Sequence, residues 1–260
     1  MGISPSIATH LPTVLQRRLD PAQRYGLRLT LFTVALVLIG VPFGFLTDQV
    51  LREGPFIEID TWAANTLHEV VRESDLLVSV LQAVSFTGKP IFFVIVCVPI
   101  GLFLLWRGHF HLTMYLAVST ILGGIIDTIV KVAVDRDRPS LEDPVATAFG
   151  NSFPSGHSMM SLVTFGALLL IFLPVMRRHR VTALVVVGLW VLAIGFTRLA
   201  LGVHYISDVL GGWVLGAAWL ALSTAAFEIW REDRGLRPTK PLEEGVEPEA
   251  EPDLHVHAAA

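Results

Sequence analysis

The sequence is poor in charged residues and contains one cysteine. Only 16% of its 260 residues are Asp, Glu, Lys or Arg, and 53% are hydrophobic, with a mean hydropathy of +0.61. A soluble domain carries roughly 25% charged residues, so this composition excludes an ordinary soluble core and indicates several membrane spans. The single cysteine, Cys97, excludes an intramolecular disulfide and argues against a cysteine-ligated metal site.

Six apolar runs predict an all-α protein, a helical bundle with six transmembrane helices. A span needs about 20 apolar residues to cross the ~30 Å hydrocarbon core. The runs cover about residues 27–46, 91–106, 111–130, 156–175, 181–199 and 206–229. The first is longer than the roughly 7–15-residue apolar region of a signal peptide, so we expect a retained anchor.

Two shorter segments separate the first two spans. Residues 60–71 and 75–86 are too short to cross the bilayer, and we expect both to be interfacial helices on the membrane surface. The chain then divides into an N-terminal segment of residues 1–26, a membrane domain of residues 27–230 and a tail of residues 231–260. Because the tail is rich in Glu and Pro and has few large apolar residues, we predict that it is disordered.

The distribution of basic residues predicts the orientation in the membrane. Six spans place both termini on one side, and twelve of the 19 Lys and Arg residues fall on that side. The positive-inside rule therefore puts the termini in the cytoplasm. The short loops are typical of a bacterial inner (plasma) membrane protein, with the remaining basic residues on the periplasmic or extracellular face. The net charge of −4 comes largely from the tail, and we expect no nucleic-acid partner.

Three polar groupings fall at the non-cytoplasmic ends of the predicted spans. In chain order they are Lys131 with Arg138-Pro139, then Pro154-Ser155-Gly156-His157, and then Arg198 with His204 and Asp208. The first follows the third span, the second opens the fourth, and the third surrounds the turn between the fifth and sixth. Because adjacent short loops at one membrane face can converge, we expect a single site.

The residue types of this site suit a dianionic phosphate. Lys131, Arg138 and Arg198 offer point-charge and bidentate contacts to phosphate oxygens. Ser155 and Gly156 stand where the fourth span begins, and the first-turn amides of a helix attract anions. Charge stabilisation by the three cations should be the largest catalytic contribution.

Two histidines supply the remaining chemistry. His204 and Asp208 are four residues apart and so share one face of a helix. Asp208 can hold one imidazole nitrogen as N–H and leave a lone pair on the other, as a nucleophile requires. His157 would protonate the leaving oxygen, a contribution typically worth ~10²–10⁴-fold.

These motifs resemble the type 2 phosphatidic acid phosphatase family, which shares its active site with vanadium haloperoxidases and glucose-6-phosphatase. The family pattern KxxxxxxRP, PSGH and SRxxxxxHxxxD occurs in this order within residues 87–229, with Thr197 in place of the usual Ser. The resemblance implies a phosphohistidine intermediate on His204, acid catalysis by His157, and neither a cofactor nor a metal ion.

We therefore expect an integral membrane hydrolase, a lipid phosphate phosphatase or diphosphatase, whose substrate enters from the surrounding membrane lipids. Phosphatidic acid, phosphatidylglycerol phosphate and undecaprenyl or another polyprenyl diphosphate are all open as substrates. Two alternatives are a lipid phosphotransferase that uses the same phosphohistidine and a non-catalytic lipid transporter. Asp127, one turn before Lys131, is hypothesised to aim that lysine through an ion pair, and Arg136 has no assigned role.

Overall fold

The chain divides into two compact units, Met1–Gly44 and Phe45–Ala260. The computed structural model describes residues 40–254, of which residues 45–254 belong to the second unit. These described residues form helices and no strand, which confirms the all-α fold. The predicted segment of residues 1–26 and most of the first predicted span lie outside the described residues.

Seven long helices follow a helical segment that ends at Leu51. They are α1 (Phe56–Val71), α2 (Asp75–Phe86), α3 (Pro90–Trp106), α4 (Phe110–Val134), α5 (Gly156–Phe172), α6 (Arg180–Ala200) and α7 (Ile206–Asp233). Local signals set several of their ends: Ser74 caps α2 by accepting a hydrogen bond from the amide of Leu77, and Pro90 occupies the first turn of α3. Asp135 ends α4 in the left-handed conformation, with φ of +50°. The chain then enters the polar loop that precedes α5.

Helix α5 lies at the centre of the bundle and packs against α4, α6 and α7. Nine of its 17 residues are buried, so little of its surface faces the surroundings. Two glycines of α7 permit a close approach: a Cβ at Gly212 would lie 2.6 Å from the carbonyl oxygen of Ser155, and one at Gly216 would lie 2.9 Å from that of Met159. This packing fixes the start of α5 against the start of α7.

Three helical segments are long and apolar enough to cross a membrane: Phe110–Val134, Arg177–Ala200 and Ile206–Asp233. The pair α2 and α3, bent by 43°, qualifies as a fourth if it counts as one broken span. Helix α2, which we predicted to lie on the membrane surface, is then the first arm of that span. Helix α5 is apolar but shorter. Membrane character is therefore confirmed, whereas the number of six spans stays a prediction.

Residues 231–254 differ from the expectation of a disordered tail. They form the short helices α8 (Pro241–Glu244) and α9 (Glu251–Leu254), with a 3-10 turn at Pro248–Ala250 between them. Val246, Ala250 and Leu254 are buried in one apolar cluster with residues of α3, α4 and α5. Three apolar side chains, spaced four residues apart in a polar segment, thus pack on a complementary apolar surface of the bundle. Ion pairs and hydrogen bonds, such as that between Arg231 and Glu249, also hold the segment.

Candidate functional site

The three predicted groupings meet at one end of the bundle. The end of α4, the start of α5, the end of α6 and the turn before α7 line the polar end of a cavity of about 860 Å³, whose remaining wall comes largely from α3 and α4. Six of the eight predicted site residues line it: Lys131, Arg138, Gly156, His157, Arg198 and His204. The other two, Ser155 and Asp208, are fully buried, and the main-chain N–H of Ser155 donates to the carbonyl oxygen of Asp208 at 2.9 Å.

His204 lies between a carboxylate and a guanidinium, and each of these groups contacts one of its ring nitrogens. Its Nδ1 lies 3.3 Å from Oδ2 of Asp208, and its Nε2 lies 3.1 Å from Nη1 of Arg138. A guanidinium only donates hydrogen bonds, so Nε2 must accept and Nδ1 carries the proton that faces Asp208. The buried imidazole therefore presents the lone pair of Nε2 on the side of Arg138.

Asp208 is fixed by several donors besides His204. Its Oδ2 accepts from the hydroxyl of Ser152 at 2.5 Å and from the main-chain N–H of Tyr205 at 2.8 Å. Its Oδ1 accepts from Nη1 of Arg136 at 2.6 Å. The bond from Tyr205 is half of a capping box that begins α7, so the same carboxylate starts the helix and orients the imidazole.

Burial sets the protonation of His204. Removal from water lowers the pKa of His204 to about 4, and the nearby charges of Arg198 and Arg138 act in the same direction. The hydrogen bond to Asp208 and the charge of that carboxylate oppose the shift without cancelling it. The imidazole is therefore neutral near pH 7, the state in which Nε2 can act as a nucleophile.

Arg138 is anchored by main-chain carbonyl oxygens. Its Nε donates to Gly150 and its Nη1 to Val203, both at 2.8 Å, while Nη2 donates to Phe149 and Asn151 at 3.2 Å. Among the described residues no carboxylate lies within ion-pair distance of Arg138. Its charge is therefore held in place but not neutralised.

Lys131 has a different environment, because Asp127 lies one turn before it on α4. Its Nζ is 2.7 Å and 2.9 Å from the two carboxylate oxygens of Asp127 and also donates to the carbonyl oxygen of Pro154. A Cβ at Gly156 would lie 2.8 Å from Oδ2 of Asp127 and 3.3 Å from Nζ. A glycine at the start of α5 thus leaves room for the ion pair beside the helix terminus.

Arg198 and His157 complete the cavity wall, and both carry buried nitrogens without a partner in the described part of the chain. Nη1 of Arg198 donates to the hydroxyl of Ser85 at 2.6 Å, whereas its Nε has no acceptor. Nε2 of His157 likewise has none. Unpartnered buried polar groups are uncommon in folded proteins, and here both belong to residues that face the cavity.

Four residues of this site were not found from the sequence. Ser85 holds Arg198, Ser152 donates to Asp208, and Asp60 and Ser207 contact Arg136. Ser152 and Ser207 lie beside the motifs, so proximity along the chain was their only signal. Asp60 and Ser85 belong to α1 and α2, far from any motif, and no sequence signal connects them to the site.

Residues 112–232 match a family model described as the PAP2 superfamily. The part of the chain that carries the site is therefore similar to the PAP2 superfamily. The matched region includes all eight predicted site residues, whereas α1, α2 and α3 precede it. The PAP2 region therefore supplies the cavity cations and both histidines, and the helices before it supply Asp60 and Ser85.

Similar proteins carry names of lipid phosphatases. Phosphatidylglycerophosphatase B of Bacillus subtilis is 28% identical over 169 residues, which cover 61% of this chain and 82% of that protein. Lipid A 1-phosphatase of Rhizobium johnstonii is 34% identical over 134 residues, 48% of this chain and 49% of that protein, so the chain spans about half its length.

A solved structure shares the fold of this protein. It is the crystal structure of a transmembrane PAP2-type phosphatidylglycerolphosphate phosphatase from Bacillus subtilis, with a TM-score of 0.69 and 20% sequence identity. The superposition covers 78% of this chain and 98% of that chain. The shared architecture therefore includes helices that lie before the PAP2 match.

Proposed function

We propose that this protein is an integral membrane phosphatase that hydrolyses a lipid phosphate or lipid diphosphate through a phosphohistidine on His204. The observation that carries the proposal is the arrangement of His204. Its neutral imidazole is oriented by Asp208, and its Nε2 lone pair lies on the cavity side beside Arg138. The match of residues 112–232 to the PAP2 superfamily and the names of the similar proteins support the same reaction class.

In the first step, a phosphoryl oxygen replaces Nε2 of His204 as the acceptor for Nη1 of Arg138, which frees the Nε2 lone pair. Nε2 then attacks phosphorus while Lys131, Arg138 and Arg198 bind the phosphoryl oxygens. These cations stabilise the charge that develops in the transition state. The bond between phosphorus and the lipid oxygen breaks, and His157 gives that oxygen a proton. The phosphate dianion offsets the positive charge around His157, which favours its protonated form on binding.

In the second step, water attacks the phosphohistidine. The neutral His157 accepts a proton from the water, inorganic phosphate leaves, and His204 regains its lone pair. Gly156 begins α5 and lines the cavity, and the first-turn amides there lack intrahelical acceptors and are suited to bind the phosphate. The main-chain N–H of Ser155 already donates to Asp208, so Ser155 would act by placing the start of α5. Asp208 compensates the positive charge on the imidazole ring while the phosphoryl group is attached.

The cavity continues from its cationic end into an apolar groove between α3 and α4. Its apolar wall includes Phe93, Val94, Cys97, Val98, Leu116 and Ile121. Such a wall can bind an acyl or prenyl chain, whereas a small soluble phosphate ester has no apolar chain to contact it. The groove therefore supports a lipid substrate whose phosphate headgroup contacts the cations while its apolar chain contacts the groove.

The lipid can be identified by a panel assayed with purified protein in detergent. Phosphatidylglycerol phosphate is the first candidate, because the relative with the greater coverage is a phosphatidylglycerophosphatase. Phosphatidic acid, a polyprenyl diphosphate and lipid A complete the panel, and kcat/KM ranks them. An added alcohol acceptor separates hydrolysis from phosphotransfer, since a transferase forms a new phosphate ester.

The mechanism is tested by trapping the intermediate. Rapid acid-free quench of a reaction with a ³²P-labelled lipid phosphate should leave label on the wild-type chain and none on His204→Ala, and turnover should survive EDTA. A labelled His204→Ala chain with normal turnover contradicts the phosphohistidine. Lipid movement that persists in an inactive His204→Ala variant would instead indicate a transporter.

We also propose that the site faces the periplasm or cell exterior and that the termini are cytoplasmic. The single cysteine makes this testable, because Cys97→Ser provides a background without thiols. In that background, T147C in the exposed loop before α5 should react with a membrane-impermeant maleimide in intact cells. R178C, exposed at the turn between α5 and α6, should react only after lysis, and the reverse pattern contradicts the orientation.

A further inference from the structure

A buried chain of charges lies directly behind the His204–Asp208 pair. Nη1 of Arg136 is 2.6 Å from Oδ1 of Asp208, and Nη2 is 2.8 Å from Oδ2 of Asp60. The two carboxylates are almost completely buried, and the Arg136 side chain is only 9% exposed. One guanidinium therefore bridges two buried acids, one on α1 and one on α7.

Further contacts make this bridge rigid. Nη1 of Arg136 donates to the hydroxyl of Ser207 at 2.7 Å, and its guanidinium lies 4.2 Å from the ring centroid of Tyr205. Asp60 accepts from the main-chain N–H of Ser207 at 3.0 Å and from its hydroxyl. Asp60 thus holds both Arg136 and the first turn of α7.

The geometry requires an arginine at position 136. Two buried carboxylates destabilise each other unless a cation lies between them, and removal of one partner leaves a buried charge uncompensated. A planar guanidinium can contact both acids with separate N–H groups, whereas the ammonium of a lysine is a single point charge. Arg136 does not line the cavity, so it touches the carboxylate and not the substrate.

Resting on the proposed function of His204, we propose that Arg136 is a positioning residue for the nucleophile and that Asp60 holds Arg136 in place. Arg136 fixes Oδ1 of Asp208, which leaves Oδ2 aimed at Nδ1 of His204 and so turns Nε2 toward the cavity. Asp60 lies outside the PAP2 match at residues 112–232. The bridge therefore makes α1 part of the catalytic arrangement.

The experiment compares Arg136→Gln, Arg136→Lys and Asp60→Asn in the purified full chain with one lipid phosphate. We expect Arg136→Gln to lower kcat by about 10²-fold with KM changed less than about twofold, because misplacement of a reacting group by ~1 Å can cost that much. Asp60→Asn keeps the size of the side chain and should lower kcat by about 10-fold, as loss of an outer partner does in other sites.

The pH profile distinguishes two effects of Arg136: its orientation of Asp208 and the influence of its positive charge on the pKa of His204. His204 is faced by Asp208 of α7, Arg198 of α6, Arg138 of the preceding loop and His157 of α5. Loss of the positive charge in Arg136→Gln should shift the acid limb of kcat/KM to higher pH, because His204 then protonates more easily. Arg136→Lys retains the positive charge but cannot contact Asp60 and Asp208 with two separate N–H groups. Its kcat should therefore fall while the acid limb stays in place.

A double-mutant comparison shows whether Arg136 acts through Asp208. In an Asp208→Asn background, Arg136→Gln should change kcat by less than about threefold, since coupled residues are not additive. Arg231→Gln is the matched control: Arg231 is also a buried arginine, with Nη2 3.0 Å from Glu249, but it lies outside the cavity. It should lower Tm and leave kcat and the acid limb unchanged.

Each outcome is decisive for one of the two proposals. A wild-type kcat in folded Arg136→Gln, or an equal loss in the Asp208→Asn background, overturns the positioning role. If Arg136→Gln does not fold, an unchanged kcat and acid limb in Asp60→Asn and Arg136→Lys overturns it. Turnover by His204→Ala contradicts the proposed function itself, whereas an inactive His204→Ala together with a fully active Arg136→Gln contradicts only this inference.

Discussion

The two ends of α4 and α7 both bury basic residues against acids, but their charge balance differs. At the tail end, Arg231 pairs with Glu249, and His109 lies within 4 Å of carboxylate oxygens of Glu247 and Asp253. At the site end, Arg136 has two carboxylates, whereas Arg138 and Arg198 have none within ion-pair distance among the described residues. Matched charges hold a segment in place, and a surplus of buried positive charge indicates a site for an anion.

The comparison predicts its largest effect at His204, with His109 at the tail end as the control. His204→Ala should lower kcat by at least ~10⁴-fold, because loss of a covalent nucleophile removes the main reaction path. His109→Ala removes an imidazole that also faces two acids, but at the tail end, and should leave kcat within about twofold. Steady-state assays of both variants at equal protein concentration test the difference, and similar losses would contradict it.

The next effect concerns the arginines. Arg198→Ala should lower kcat by about 10²–10³-fold, the usual result when one donor to the developing charge is lost. Arg231→Ala removes an equally buried arginine and should lower the free energy of unfolding by about 1–3 kcal/mol with little change in kcat. Activity and thermal unfolding are measured on both variants. A stable, fully active Arg198→Ala would show that the unpaired charge of Arg198 is not needed to bind the phosphate.

A pH profile tests whether the unpaired positive charges of Arg138 and Arg198 affect His204. The pKa of His204 is lowered to about 4, below its ordinary value, so the active neutral form persists until the pH falls to that value. We expect kcat/KM to decline below about pH 4 and not near pH 6.5. Arg138→Ala should move this acid limb upward, because loss of a nearby positive charge raises the pKa of His204. An acid limb that stays near pH 6.5 in the wild type contradicts a buried, charge-depressed nucleophile.

The smallest expected effect at the site concerns Asp127, whose carboxylate pairs with Lys131 as the sequence hypothesis required. Asp127→Asn keeps an acceptor for Nζ but removes the charge, and we expect kcat/KM to fall about 10-fold, as it does when an outer partner of a site residue is lost. Turnover at the wild-type level would show that Lys131 needs no partner to reach the phosphate. Asp253→Asn, at the exposed tail end, is the matched control and should have no effect.

Much of the candidate site could be inferred from local spacing. Lys131 and Asp127, and likewise His204 and Asp208, are separated by four residues, and this spacing places side chains on one helix face wherever the helix forms. The convergence of the three motifs followed from the alternation of spans. The support from Asp60 and Ser85 could not be inferred, because their partners lie 76 and 113 residues away along the chain.

The tail, residues 231–254, also depends on tertiary contacts that its sequence did not indicate. Its composition predicted disorder, yet residues 231–254 dock through Val246, Ala250 and Leu254. Composition gives the amount of apolar surface in a segment, but it does not show whether the folded bundle has a complementary apolar surface to bind it.

The sequence by itself determined that this protein is helical, enters a membrane and carries two histidines and three cations at motif spacing. Hydropathy and helical periodicity are local properties, and they require no knowledge of distant partners. Only the tertiary structure decided which nitrogen of His204 carries the proton, which acids neutralise Arg136 and which cations have no carboxylate partner among the described residues. Those properties depend on contacts between helices, and in a buried site such contacts set both charge and reactivity.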